Sequence, residues 1–305
     1  MQNPNLPAPN FLRNVDQQPI SIPQRIARVL TFIRFSHTIF ALPFALGSMI
    51  VAAHGWPSWH IFGMIVMAMV FARTAGMTFN RLADWEIDKR NPRTAARHRL
   101  ISRQGAVALL FLSSIAFVLT CYFINRPCLF LSAFALAVIF LYSLTKRFTS
   151  ASHFVLGLAL SISPVGAWLA VRGHIDMPPL VLAVAVMFWV AGFDLIYATQ
   201  DAEFDRAAGL HSLAVRLGIP RTLAVAQALH GMMWILLAAF GWTAGLGLRF
   251  AIGLALMLPA LAYEHVTARK LDVDSVNRAF FQSNAFVGLV FVAAVAVDQT
   301  NKYWK

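Results

Sequence analysis

The chain is a succession of apolar runs, each about as long as a bilayer is thick. A hydrocarbon core of ~30 Å takes roughly 20 apolar residues in helical form. Backbone polar groups in lipid must be satisfied internally, so separate runs of this length are helices. They lie near residues 29–53, 59–80, 105–124, 127–145, 152–171, 179–199, 221–243, 249–268 and 278–297. The sequence therefore predicts an all-α polytopic membrane bundle of about nine transmembrane helices. Two connections are very short, Asn125-Arg126-Pro127 and Gly245 to Arg249. Composition agrees: 59% of residues are hydrophobic and 12% charged, about half the charge of a soluble domain. A single membrane domain over 29–298 is expected. A polar tail rich in Pro, Asn and Gln (1–28) precedes it, and a short tail (299–305) follows. No short apolar core followed by a small-residue cleavage site marks a signal peptide.

A net charge of +12 could suggest nucleic acid. The placement of the cations excludes that reading, because they sit in short loops between apolar runs. With nine spans, eighteen Lys and Arg fall on the side of the N-terminus and of the loops after the second, fourth, sixth and eighth runs. Five fall on the other side: Arg126, Arg172, Arg249, Lys302 and Lys305. The positive-inside rule then puts the N-terminus in the cytoplasm and the C-terminus outside, in the cytoplasmic (inner) cell membrane. Cys121 and Cys128 sit in apolar surroundings without metal-ligand spacing and read as buried packing residues.

The acidic residues are few and clustered. Seven of thirteen lie in two short segments, Asp84, Glu86 and Asp88 after the second run and Asp194, Asp201, Glu203 and Asp205 at the end of the sixth. Both clusters end a helix on the expected cytoplasmic side, four helices apart, which fits a divergent duplication. In the first, Asn80, Asp84 and Asp88 are spaced by four and form one helical stripe, with Arg73 two turns earlier on nearly the same face. A cationic block follows: Lys89, Arg90, Arg93, Arg97 and Arg99. In the second, Asp194, Tyr197, Asp201 and Asp205 share a face. Asp194 lies at membrane depth, where a charge costs ~2.5–3.5 kcal/mol on insertion scales and a polar cavity is the natural setting. Two carboxylate stripes beside cations predict Mg²⁺ bridged by a diphosphate, since Mg²⁺ takes one or two protein carboxylates and completes its shell from phosphate and water.

Tyr142 and Lys146 are four apart at the end of the fourth run. Their spacing fits a phosphate ligand and equally a snorkelling Lys above an interfacial Tyr. Arg34, about five residues into the first run, is open in the same way. Arg73 lies deeper, and its register with Asn80 favours a site. The histidines show no ligand clustering and read as structural or interfacial. The 25 phenylalanines serve packing and lipid contact, and aromatic faces among them could shelter a carbocation.

The motifs resemble a known family. Asn80, Asp84 and Asp88, followed by NPRTAARH, resemble the first signature of the UbiA-type intramembrane aromatic prenyltransferases. Tyr142 and Lys146 resemble the YxxxK middle motif, and Asp194 to Gly218 (DLIYATQDAEFDRAAGLHSLAVRLG) resembles the second aspartate signature. The opening IRFSHTIFALP and closing AFFQSN are most similar to a bacterial subgroup of 4-hydroxybenzoate polyprenyltransferases. One departure is that AARHRLISRQG follows PRT where the family has R-P-L; Arg97 takes the arginine's place and the proline is absent.

The resemblance implies Mg²⁺-dependent transfer of a polyprenyl group from its diphosphate to the ring of 4-hydroxybenzoate, in ubiquinone-type quinone synthesis. It implies Asn80, Asp84, Asp88, Asp201 and Asp205 as ligands of Mg²⁺-diphosphate, and Arg93, Arg97 and Lys146 as phosphate contacts. Arg34 and Arg73 would meet the acceptor carboxylate or phosphate; Tyr142, Tyr197 and Asp194 would shape the reaction centre. Two alternatives stand beside it. One is prenylation of a dihydroxynaphthoate in menaquinone synthesis. The other, from a different class, is an ion-coupled secondary transporter with a carboxylate relay.

Overall fold

The structure is a computed structural model and describes residues 21–34, 38–90, 94, 96 and 99–303. Every regular element among them is helical. Among the described residues, eight helices are long and apolar enough to cross a membrane. These are α3 (Trp59–Ala83), α5 (Arg103–Ile124), α6 (Arg126–Thr145), α7 (Ser152–Arg172), α8 (Met177–Ala198), α11 (Ile219–Thr243), α12 (Leu248–Ala268) and α13 (Val273–Tyr303). A ninth apolar helix, α2 (Thr38–Ala52), is shorter. Four short helices complete the set: α1 (Ile22–Phe32), α4 (Trp85–Arg90), α9 (Ala202–Ala207) and α10 (Leu213–Leu217).

The structure departs from the expected spans at both ends. The run at 29–53 is two helices, not one, and the stretch expected as tail already enters α1 at Ile22. Ile22, Ile26 and Leu30 form an exposed apolar stripe on α1, the pattern of an interfacial rather than a spanning helix. The run ends beyond Ile33 because Arg34 takes φ +48°, a left-handed conformation that closes an α-helix. At the other end α13 continues to Tyr303, past the expected limit at 297.

Short connections are fixed by local chemistry. Asn125 is extended between α5 and α6, and its side chain accepts from Cys128 N–H at 2.8 Å. Its amide also donates to Leu169 O at 2.8 Å, tying that turn to α7. Pro164 withdraws one N–H from α7, and the Ser163 hydroxyl satisfies Leu160 O at 2.8 Å. Asp298 of α13 accepts from Gly247 N–H (2.9 Å) at the start of α12.

Helix α8 is the most enclosed span, packed mainly on α7 and α11. Helix α2 packs on α7 and α13, and α3 on α5 and α6. An aromatic core lies along α8: Phe44 stacks on Phe291 at 4.7 Å and tilts against Trp189 at 4.8 Å between ring centres. Nearer the aspartate end, Phe280 meets Phe40, Phe193 and Tyr197, each at 5.3 Å. These rings form one wall of the site.

Candidate active site

Helices α3 and α8 end on the same side of the bundle, and their C-terminal ends border a cavity of about 260 Å³. Eleven of the thirteen residues singled out in the sequence line it: Arg34, Arg73, Asn80, Asp84, Asp88, Tyr142, Lys146, Asp194, Tyr197, Asp201 and Asp205. Arg93 and Arg97 lie outside the described residues. The first acidic stripe is not one continuous helix. Helix α3 stops at Ala83, Asp84 is its C-cap, and Asp88 belongs to α4. Asp88 N–H still donates to Asp84 O at 2.7 Å, so the helical offset between the two carboxylates survives the break. The second stripe runs from α8 through a 3₁₀ turn (Thr199–Asp201) into α9.

The mouth is a set of ion pairs. Arg147 lies 3.5 Å from Asp84, Arg81 lies 3.6 Å from Asp88, and Lys146 lies 3.7 Å from Asp205. Burial and the neighbouring Asp88 carboxylate push the Asp84 carboxyl above its ordinary range, against the pull of Arg147. Burial alone would lower the Lys146 ammonium; Asp205, Asp194, Asp201 and Asp84 outweigh it and hold the group above its usual value.

The inner cations differ. Arg73, ten residues before the end of α3 and so about 15 Å along its axis, makes one long hydrogen bond, 3.5 Å to Arg34 O. Its Nε is buried without a partner. Arg34 donates to Tyr197 Oη at 3.5 Å. Neither arginine pairs with a carboxylate among the described residues. The snorkelling alternative for Arg34 gives way to a place in the cavity wall.

An apolar chamber adjoins the cavity, and a second adjoins the first. The first, of about 130 Å³, shares Arg73, Met77, Tyr142, Leu156 and Leu160 with the cavity. The second, of about 110 Å³, shares Met69, Ala72, Ile139, Ala159 and Ser163 with the first and ends among Cys121, Cys128 and Leu131. The cysteines are buried and unpaired, as expected.

Three partners escape the sequence reasoning. Arg147 and Arg81 read there as loop cations, although each lies beside a singled-out residue in sequence. His153 reads as structural; it holds Asp194 at 2.6 Å, a pairing between α7 and α8 that no spacing announces.

No three His, Cys, Asp or Glu among the described residues converge on one metal position. The donors fit a hard cation that takes one or two carboxylates and otherwise oxygen from a bound phosphate. They do not make a cage of protein ligands alone.

A helical membrane bundle whose carboxylates and cations share a cavity at one end, continued by apolar chambers, is the architecture of an intramembrane prenyltransferase. The UbiA prenyltransferase family profile matches residues 41–290, and the chain belongs to that family of prenyl-transferring enzymes. It is 31% identical to a 4-hydroxybenzoate octaprenyltransferase of Saccharophagus degradans, over 83% of this chain and 85% of that protein. It is 32% identical to one of Pseudomonas aeruginosa, over 82% and 86%. Its fold is similar to the apo structure of a UbiA homolog from Aeropyrum pernix, with a TM-score of 0.77, 31% identity, and coverage of 86% and 98%. It is also similar to a UbiA homolog from Archaeoglobus fulgidus bound to GPP and Mg²⁺, with a TM-score of 0.68, 20% identity, and coverage of 90% and 99%.

Proposed function

We propose that this enzyme transfers a polyprenyl group from polyprenyl diphosphate to the ring of 4-hydroxybenzoate, with Mg²⁺, in ubiquinone-type quinone synthesis. The observation that carries this reading is the division of the cavity's cations. Arg81, Lys146 and Arg147 each pair with an aspartate at the mouth; Arg34 and Arg73 pair with none among the described residues. Both guanidiniums are half-buried, and a cation drawn out of water without an anionic partner is costly; a bound anion relieves the cost. The planar fork of Arg73 suits the carboxylate of the acceptor.

At the mouth, Asn80, Asp84, Asp88, Asp201 and Asp205 hold the metal-bound diphosphate, and Mg²⁺ supplies charge neutralisation of the leaving group. Lys146 stays protonated and takes phosphate oxygens, with Arg93 and Arg97 as further contacts. The allylic carbon then rests near Phe40, Phe193, Phe280 and Tyr197, whose ring faces stabilise positive charge and exclude water. The isoprenoid tail follows the apolar chambers. Names support the reading: the relatives above are octaprenyltransferases of 4-hydroxybenzoate, and the Archaeoglobus homolog binds GPP and Mg²⁺. We also propose a single membrane domain in the cytoplasmic membrane, its N-terminus and site facing the cytoplasm, on the basis of the charge asymmetry.

The test is an assay with membranes containing the enzyme, a polyprenyl diphosphate and Mg²⁺, read by mass spectrometry. Prenylated 4-hydroxybenzoate is the expected product. Product from a dihydroxynaphthoate alone would move the acceptor to menaquinone synthesis. No prenylated aromatic from folded enzyme would overturn the reading.

A further inference from the structure

Ring prenylation releases a proton, and the ion pairs at the mouth provide no obvious acceptor for it. Asp194 differs from the other four aspartates of the cavity. Its partner is a histidine that the mechanism above does not use: His153 Nδ1 lies 2.6 Å from Asp194 Oδ2. His153 is fully buried, whereas the Asp194 side chain keeps 22% exposure and lines the cavity.

The contact is built into the helix packing. His153 is in the first turn of α7 and Gly157 is one turn later on the same face. A Cβ at Gly157 would collide with Met187 O of α8, so only glycine permits this approach. Met187 is two turns before Asp194 on the facing helix. The close crossing brings the imidazole within reach of the carboxylate.

An ionised Asp194 only accepts, and to it the Nδ1–H of His153 is the donor. His153 Nε2 is buried without a partner. One carboxylate oxygen is fixed by His153, which leaves the other for the cavity. Without this anchor Asp194 would be drawn toward Lys146, one of the groups it interacts with.

We propose that Asp194 is the base that removes the ring proton and that His153 is its positioning residue. This rests on the prenyl-transfer reading. In balance, the C–O bond of the allylic diphosphate breaks and its electron pair leaves with the diphosphate. The ring carbon ortho to the phenol bonds the allylic carbon. The C–H pair at that ring carbon then returns to the ring, and the proton goes to the free oxygen of Asp194. His153 keeps the Nδ1–H bond throughout.

The experiment compares wild type, His153→Leu and His153→Asn, using whichever aromatic the wild type prenylates, with and without deuterium at the reacting ring carbon. Wild-type turnover tests the prenyl-transfer reading; the ratios between variants test this inference. Removal of the anchor should lower kcat about a hundredfold, as loss of efficient general-base catalysis does, with KM for both substrates little changed. A primary deuterium effect on kcat should appear, because proton removal becomes rate-limiting. The asparagine amide offers a donor near the Nδ1 position, so His153→Asn should recover most of kcat and lose the isotope effect. Unchanged kcat in His153→Leu would overturn the proposal. So would a loss of kcat without an isotope effect in both variants, since a packing defect slows turnover without singling out the C–H bond.

Discussion

Arg147 bridges the break between α3 and α4: its Nη2 lies 3.5 Å from Asp84 Oδ1 and donates to Ala83 O at 2.6 Å. The guanidinium thus caps the carbonyl end of α3 while holding the carboxylate that follows it. A cation at a helix C-terminus is favourable in its own right, so the ion pair pre-positions Asp84 for the proposed metal. Asp84→Asn should keep the helix end and lose the metal charge. Turnover is expected to fall on the order of a thousandfold, the scale of losing an electrostatic stabiliser of a leaving group. Comparison of kcat with detergent-phase elution on size exclusion separates this from misfolding.

Arg73 should act on the acceptor rather than the donor. Arg73→Met removes a charge-assisted contact worth about 1.5–3 kcal/mol. The KM for the hydroxybenzoate acceptor should therefore rise roughly ten- to a hundredfold, while that for the diphosphate stays near its wild-type value. Arg73→Lys should restore only part, because an ammonium lacks the planar fork. Steady-state kinetics with each substrate varied in turn checks this.

The raised pKa of Asp84 gives a pH dependence with a definite sign. Burial and Asp88 favour its protonated form, and Mg²⁺ must displace that proton. Apparent Mg²⁺ affinity in the presence of diphosphate should therefore fall as pH drops, beginning above the ordinary aspartate range of about 4. Lys146, held above its usual value, contributes no loss of charge up to pH about 10. Mg²⁺ titrations of activity at a series of pH values report the first effect, and the alkaline limb of the profile in Lys146→Met reports the second.

The apolar chambers predict control of chain length. Ala72 lines both. Ala72→Phe fills the passage between them, and overpacking of this kind costs about 1–3 kcal/mol. The kcat/KM for octaprenyl diphosphate should fall about tenfold or more relative to geranyl diphosphate, whose short tail stops nearer the mouth. Competition between the two donors measures the ratio directly.

Much of this architecture is legible in the sequence because the bilayer imposes it. Nine apolar stretches read as spans, and two acidic segments in a chain poor in acid stand out against them. Eleven of the thirteen residues singled out share one cavity, and for those spaced by four at a helix end the shared face follows from helical geometry. The sequence is less informative where neighbouring elements decide. The first run looks continuous, yet it breaks beyond Ile33 with Arg34 at φ +48°. Nothing local distinguishes a snorkelling arginine from one turned into a cavity. His153 reads as one more histidine until α7 and α8 cross at Gly157. The pairing of Arg81 and Arg147 with Asp88 and Asp84 likewise depends on how α3, α4 and α6 meet.

On the proposed reading, metal and diphosphate are held together at this mouth, neither by protein alone. Thermal unfolding of the purified enzyme with a non-reactive thiolo-diphosphate analogue of geranyl diphosphate tests this most directly. Mg²⁺ alone should leave the transition nearly unchanged, because no three acidic or histidine groups among the described residues converge on one position. Analogue with Mg²⁺ should raise it, in the manner of a ligand bound well above its Kd, and EDTA should remove the effect. Equal stabilisation by the analogue in EDTA, or strong stabilisation by Mg²⁺ without it, would contradict the account.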